Sequence, residues 1–201
     1  LIGESGSGKS LTLKAILNLL SSALEVKKNI SSDFELSFDT IGFIPQNPFT
    51  SLSSMTKIKN QIFCSDEKKE EVFKLLDLPL EILEKYPSQI SGGQTHRVVI
   101  AIALSRDIKL LLLDEPTTAL DFENKTNIIN IVNDLKDKLN INILFVTHDI
   151  ESIKDICDDI VIIKNGYVVE FGKTQEVLNN PQNEYTKKLL NSSFKNKKFR
   201  N

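Results

Sequence analysis

"GESGSGKS", residues 3–10, decides how the rest of the chain is read. It matches G-x-x-x-x-G-K-[ST] without a gap. Gly3, Gly6 and Gly8 let the loop's backbone N–H groups wrap around an anion. Lys9 neutralises outer phosphates, and the Ser10 hydroxyl suits Mg²⁺. The motif needs a strand before it and a helix after it. Only Leu1 and Ile2 stand before it, so the chain is expected to start inside that strand, with earlier strands missing. After it, "LTLKAILNLL" (11–20) spaces Leu11, Leu13, Ile16, Leu17 and Leu20 as a helix does. Motif and context together imply nucleotide binding.

Further along, apolar runs and helical patterns alternate. "TIGFIP" (40–45) reads as a strand. From 48 to 105 the pattern turns helical: "SMTKIKNQIF", "EEVFKLLDL", "LEILEKY" and a glycine-led helix. "KLLLLDE" (109–115) is a wholly apolar run ending in carboxylates, which suits a strand buried on both faces. "FENKTNIINIVNDLKDKL" is an amphipathic helix, "INILFVTHD" a second buried strand and "IESIKDIC" a helix. "DDIVIIKNGYVVEFG" is a strand pair turning at Asn165–Gly166, a type I′ signal. Such alternation predicts an α/β fold with a mainly parallel sheet covered by helices.

The chain has 201 residues, 40 % of them hydrophobic, and a net charge of −2. That suits one globular domain with room for a small subdomain, and offers no general attraction for nucleic acid. A basic tail carries Lys187, Lys188, Lys195, Lys197, Lys198 and Arg200. It reads either as a solvated end or as a contact for a partner or an anionic surface. Cys64 and Cys157 lie far apart and form no CxxC pair, which predicts neither disulfide nor metal site. No apolar run reaches the length of a bilayer span, so a membrane role must come through a partner.

Chemistry concentrates at strand ends. Asp114 and Glu115 close the run "KLLLL", where open α/β sheets bind ligands. Asp114 is a candidate to hold Mg²⁺ through water, and Glu115 to activate an attacking water; two surface acids ending a strand is the plainer reading. His148 ends "ILFVT" and is a candidate contact for a terminal phosphate. Gln46 follows "GFIP", where an amide can hold Mg²⁺ or water, although loop glutamines are common. A second glycine turn, "QISGGQ" (89–94), opens another helix, whose first N–H groups also suit an anion. His96, one turn into that helix, is expected to be exposed.

Taken together these stretches resemble the ATP-binding subunit of ABC transporters, from Leu1 to about Asn191. "GESGSGKS" is similar to the family's Walker A loop, "LLLLDE" to its Walker B strand, and "ISGGQ" (90–94) to its signature, with Ile90 where leucine is usual. Gln46 matches the Q-loop, "TALD" (118–121) the D-loop and His148 the switch histidine. The resemblance implies a P-loop NTPase fold, with 1–47 and 106–180 as ATP-binding core, 48–105 as helical signature subdomain and 181–201 as C-terminal helix and tail. It implies ATP and Mg²⁺ as ligands. Glu115, His148 and Gln46 would be catalytic, and Ser10, Gln46 and Asp114 would serve the metal. Gly3, Glu4, Ser5, Gly6, Ser7, Gly8, Lys9, Ser10 and Leu11 would bind one nucleotide, and Ser91, Gly92, Gly93, Gln94 and Asp121 another held by a second copy. In this family two ATPase domains pack head to tail, which explains two anion cradles on one chain.

Finer resemblance points to the peptide and nickel importer branch: "QNPFTSLSSMTKIKNQI", "DEPTTALD" and "EFGKTQEVLNNPQNEYTKKLL". It implies a second ATPase subunit, the same or different, two permease subunits, indirectly a substrate-binding protein, and a place on the cytoplasmic face of the inner membrane. Phe49, Thr50 and Leu52 become candidates for the permease contact. No nucleic acid and no iron–sulfur cluster are expected. The aromatic that normally stacks on adenine lies upstream of Walker A and is absent, and "THRV" (95–98) stands where the family commonly has Gln-Arg-Val after a polar residue. Competing readings are a soluble ABC ATPase of DNA repair or translation and a binding module that does not hydrolyse ATP.

Overall fold

The computed structural model describes residues 1–118 and 120–195. In chain order its elements are α1 (Lys9–Ile16), β1 (Ile41–Ile44), α2 (Asp66–Leu75), α3 (Gly92–Leu104), β2 (Leu110–Asp114), α4 (Phe122–Leu139), β3 (Asn142–Val146), β4 (Asp159–Lys164), β5 (Tyr167–Lys173), α5 (Thr174–Asn179) and α6 (Glu184–Lys195). The chain divides into two compact units, residues 1–30 with 145–201, and residues 31–144.

In the second unit β1 runs parallel to β2, with Ile41 opposite Leu110 and Ile44 opposite Leu113, and the sheet order is β1-β2-β3. Leu111, Leu112 and Leu113 are fully buried, as an apolar run without alternation predicts. Helix α3 packs on β1 and buries Val98, Val99, Ile100, Ala101, Ala103 and Leu104. Gly42 permits that approach: a Cβ there would lie 3.2 Å from Ala103 Cβ on α3, and 2.8 Å from Ile108 Cδ1 beyond it. Helix α4 follows its sequence pattern and buries Ile128, Val132 and Leu135 along one stripe. Each such aliphatic side chain contributes about 1.5–3 kcal/mol of burial free energy.

In the first unit Ile2, directly before the glycine loop, forms parallel bridges with both Thr147 and Ile162. β4 and β5 form an antiparallel hairpin whose turn residues Asn165 (φ 51°) and Gly166 (φ 81°) are both left-handed, the type I′ geometry the dipeptide predicts. Helix α5 packs on this hairpin.

Several expected helices are shorter or tighter. Helix α1 stops at Ile16 because Asn18 turns left-handed (φ 57°), leaving Leu19 and Leu20 outside it. "SMTKIKNQIF" gives only a 3₁₀ turn at Ile58–Gln61. There the Gln61 side chain takes the Ser53 N–H at 2.8 Å and donates to the Thr56 carbonyl at 2.7 Å, competing with helical bonding. "LEILEKY" lies between Pro79 and Pro87 and forms a 3₁₀ turn, Leu80–Glu84. "IESIKDIC" is likewise a 3₁₀ turn at Ile150–Ser152 followed by turns. Between residues 48 and 105 the chain thus carries α2, α3 and four 3₁₀ turns without a strand.

Candidate nucleotide-binding and hydrolysis residues

The glycine loop belongs to the first unit. Gly6 (φ 80°) and Gly8 (φ 102°) adopt backbone conformations that a side chain disfavours. Ser7 N–H donates to the Glu4 carbonyl at 3.2 Å, closing the turn, and the Ser7 carbonyl accepts from Gly166 N–H at 3.0 Å. Lys9 is buried, and its ammonium donates to the carbonyls of Gly3 (2.8 Å) and Glu4 (3.0 Å), so it holds the loop curled around itself. Glu4, Ser5, Gly6, Ser10 and Leu11 are exposed around it. Ser7 Oγ is buried with no hydrogen-bond partner among the described residues.

One contact was not visible in the sequence. Tyr185 on α6 accepts the Glu4 N–H through its hydroxyl at 3.2 Å, while Lys164 sits 4.7 Å over its ring. The glycine loop is therefore braced by α6. His148 lies in this unit too, exposed in the bend after Thr147, where Asp149 N–H donates to Thr147 Oγ1 at 2.9 Å. The basic tail beyond Lys195 lies outside the described residues.

The second unit holds the acids. The parallel register of β1 and β2 puts the residues after Ile44 beside those after Leu113. As a result the Gln46 amide donates to Glu115 Oε2 at 3.4 Å, a bond joining two strand ends far apart in sequence. Thr118 Oγ1 donates to the same oxygen at 3.0 Å. Glu115 has φ 48°, a left-handed conformation rare for a side chain of its size. Such strain concentrates at functional sites, where the surrounding structure holds it in place. Asp114, half-buried, precedes it at the end of β2. This cluster can orient a carboxylate toward a water.

At the second glycine turn, Ser91 Oγ accepts Gln94 N–H at 3.2 Å and Gln94 Oε1 accepts Ser91 N–H at 3.0 Å, a reciprocal cap on α3. Ser91 and Gly92 are exposed. The early N–H groups of a helix lack intrahelical partners and suit an anion. Asp121 caps α4 and accepts both the backbone and side-chain N–H groups of Asn124, at 2.8 Å each. Those bonds hold its carboxyl below the ordinary carboxylate range. Asn124 also reaches the second cradle, since a Cβ on Gly93 would lie 2.9 Å from its Oδ1.

Two expectations are corrected. His96 is not exposed but 2 % accessible, because α3 is buried on most sides and not along one stripe. Burial lowers its pKa below 6.5, the Pro116 carbonyl working in the opposite direction. Leu52 is buried, so of the three residues suggested for a permease contact only Phe49 and Thr50 offer surface.

A family model described as ABC transporter matches residues 1–118. The chain belongs to the ABC transporter family. Relatives of this family agree along nearly the whole chain. An oligopeptide transport ATP-binding protein, OppD of Bacillus subtilis, is 34 % identical over 96 % of this chain and 62 % of its own length. A methionine import ATP-binding protein, MetN of Streptococcus pneumoniae, is 35 % identical over 96 % of this chain and 60 % of its own. The chain thus spans less than two-thirds of these relatives. Among ABC transporter structures, cbiO1 of Clostridium perfringens, part of the complex cbiONQ, superposes with a TM-score of 0.75 at 26 % identity, covering 89 % of this chain and 78 % of that one. A dimeric ATP-binding cassette in a post-hydrolysis state bound to ADP and Pi superposes with a TM-score of 0.65 at 28 % identity, over 86 % and 83 % of the two chains. No helix among the described residues is long and apolar enough to cross a membrane.

Proposed function

We propose that the protein binds and hydrolyses ATP as the motor subunit of an importer of the peptide class. Its first unit supplies the phosphate cradle, residues 3–11, with Lys9 as counter-charge. Its second supplies Glu115 as the base that orients and deprotonates water, a role worth about 10²–10⁴-fold in rate. The observation that carries this reading is the strained Glu115, whose carboxylate is fixed by two donors at 3.4 and 3.0 Å. His148 would contact the terminal phosphate.

The residues fit a magnesium nucleotide. The buried Ser7 hydroxyl has no hydrogen-bond partner among the described residues and lies against Gly3, where a Cβ would come within 2.6 Å of it, which leaves it available to an anion in the loop. Ser10, Gln46 and Asp114 offer hard oxygen donors of the kind Mg²⁺ takes alongside phosphates, and would hold it. When bound, Mg²⁺ offsets phosphate charge during transfer. Ser91, Gly92, Gly93 and Gln94, with Asp121, would meet the nucleotide carried by a second ATPase subunit, so that two copies, or this chain and a homologue, close around ATP. Residues 48–105 are read as the helical signature subdomain, with Phe49 and Thr50 toward a permease at the cytoplasmic membrane face.

Glu115→Gln tests the reading. ATP turnover is expected to fall at least about 100-fold, while ATP shifts the variant to a dimer in size-exclusion chromatography with light scattering. Turnover near the unmodified level would overturn the assignment of Glu115. Copurification of the full-length protein from membranes with two polytopic subunits tests the importer reading; recovery with nucleic-acid machinery instead would sink it.

A further inference from the structure

Tyr185 and Lys9 hold one peptide unit from opposite sides. In a trans peptide the C=O and N–H point in opposite directions. The unit joining Gly3 to Glu4 gives its N–H to the Tyr185 hydroxyl at 3.2 Å, and its C=O accepts from the Lys9 ammonium at 2.8 Å. The next carbonyl, that of Glu4, accepts from the same ammonium at 3.0 Å. An ammonium is a point charge with rotatable donors on a flexible stem, so the acceptors around it decide where it sits. Gly3 is wedged against β4, since a Cβ there would lie 2.4 Å from the Ile163 carbonyl oxygen. The peptide that follows it therefore turns about a fixed point, and Tyr185 sets the angle.

Tyr185 is itself held by the protein. It is 7 % exposed, and its backbone N–H donates to Asn183 Oδ1 at 2.8 Å. Glu170 on β5 accepts the N–H groups of Gln182 at 2.7 Å and Asn183 at 3.1 Å, and the Asn183 amide donates to the Val169 carbonyl at 3.2 Å. These bonds tie the start of α6 to β5. Lys164 stands 4.7 Å from the centre of the ring, directly before the turn whose Gly166 N–H holds the Ser7 carbonyl. A phenylalanine would fill the same space and keep the cation over its face. What it would lack is the bond to Glu4.

We propose that Tyr185 is a positioning residue for nucleotide binding: its hydroxyl fixes the plane of the Gly3–Glu4 peptide, and that plane aims the Lys9 ammonium at the phosphates. The proposal rests on the reading of residues 3–11 as the nucleotide cradle. It gives α6 a part in nucleotide affinity and none in the hydrolytic step, whose base lies in the unit formed by residues 31–144.

The test compares Tyr185→Phe, Lys9→Ala and the double variant in the full chain. Affinity for a fluorescent ATP analogue with Mg²⁺, steady-state ATPase kinetics and amide hydrogen exchange are measured for each. Y185F is expected to weaken analogue binding and raise KM about 2–12-fold, the range that one net hydrogen bond carries. Its kcat is expected to stay within about twofold, as loss of uniform binding implies. Exchange at residues 3–8 is expected to accelerate while exchange at residues 182–184 is unchanged. Because Tyr185 acts through Lys9, the double variant is expected to bind within about twofold of K9A alone, the non-additivity of coupled groups. Unaltered affinity in Y185F overturns the proposal. So does an effect of Y185F that persists in full without Lys9, or exchange that accelerates in the loop and at 182–184 together, since either marks a role in packing alone. If K9A weakens binding while Y185F does not, only this proposal falls. If K9A binds the analogue as the natural chain does, the reading of the cradle falls and takes this proposal with it.

Discussion

Asp121 holds Asn124 by two bonds of 2.8 Å, one from its backbone and one from its side-chain amide. Asn124 cannot swing away freely, and its Oδ1 would lie 2.9 Å from a Cβ at Gly93. Gly93→Ala is therefore expected to destabilise the chain by about 1–3 kcal/mol, the usual cost of overpacking. Asn124→Ala in the same background is expected to recover most of that loss. Urea denaturation of the two single variants and the double variant measures both. An alanine at 93 with an unchanged midpoint would show that Asn124 yields.

Thr118→Val removes one of the two donors to Glu115 Oε2 while keeping the side chain's shape. A net hydrogen bond is worth about 0.5–1.5 kcal/mol, so kcat is expected to fall about 2–12-fold with nucleotide affinity preserved. Steady-state kinetics decide it. A KM effect with intact kcat would place Thr118 in binding and not in orienting the base.

Lys9→Ala tests a double role. The ammonium bridges the Gly3 and Glu4 carbonyls, so its removal is expected to loosen the loop even without nucleotide. Amide hydrogen exchange at residues 3–8 is expected to accelerate, and binding of a fluorescent ATP analogue to weaken at least about tenfold, as loss of a charge-assisted contact implies. Unchanged exchange with weakened binding would confine Lys9 to the ligand.

His96 gives stability a pH dependence of definite sign. Burial lowers its folded-state pKa below 6.5, so under acid conditions the unfolded chain binds more protons. The stability this group confers is present above about pH 6.5 and is lost as pH falls through its folded-state value. Urea midpoints at about pH 7.5 and about pH 5.5 are expected to differ more for the natural chain than for His96→Gln. Equal differences would mean that other groups dominate the acid limb.

How far these features could be read beforehand depended on the range of the interaction behind each. The helix that follows the glycine loop, the helix opening at Gly92–Gly93 and the Asn165–Gly166 turn are written within a few neighbouring residues, and each formed as read. The apolar run 110–114 was legible because no polar residue interrupts it. His96 was not, since its burial depends on what packs around α3 on every side, which periodicity cannot report. Nor was Tyr185, whose hydroxyl reaches a loop at the opposite end of the chain. The 3₁₀ turns at 58–61 and 80–84 escaped because Gln61 and the flanking prolines override an apolar spacing that suits a helix.

The bond from Gly166 N–H to the Ser7 carbonyl also has a consequence in time. During synthesis residues 3–10 leave the ribosome before the hairpin that pins them and before the Tyr185 hydroxyl that braces them. Until those segments emerge, the loop has only its own bonds, from Lys9 to the Gly3 and Glu4 carbonyls and from Ser7 to Glu4. A messenger cut short before the hairpin yields a product that carries the whole glycine-loop motif without these two braces.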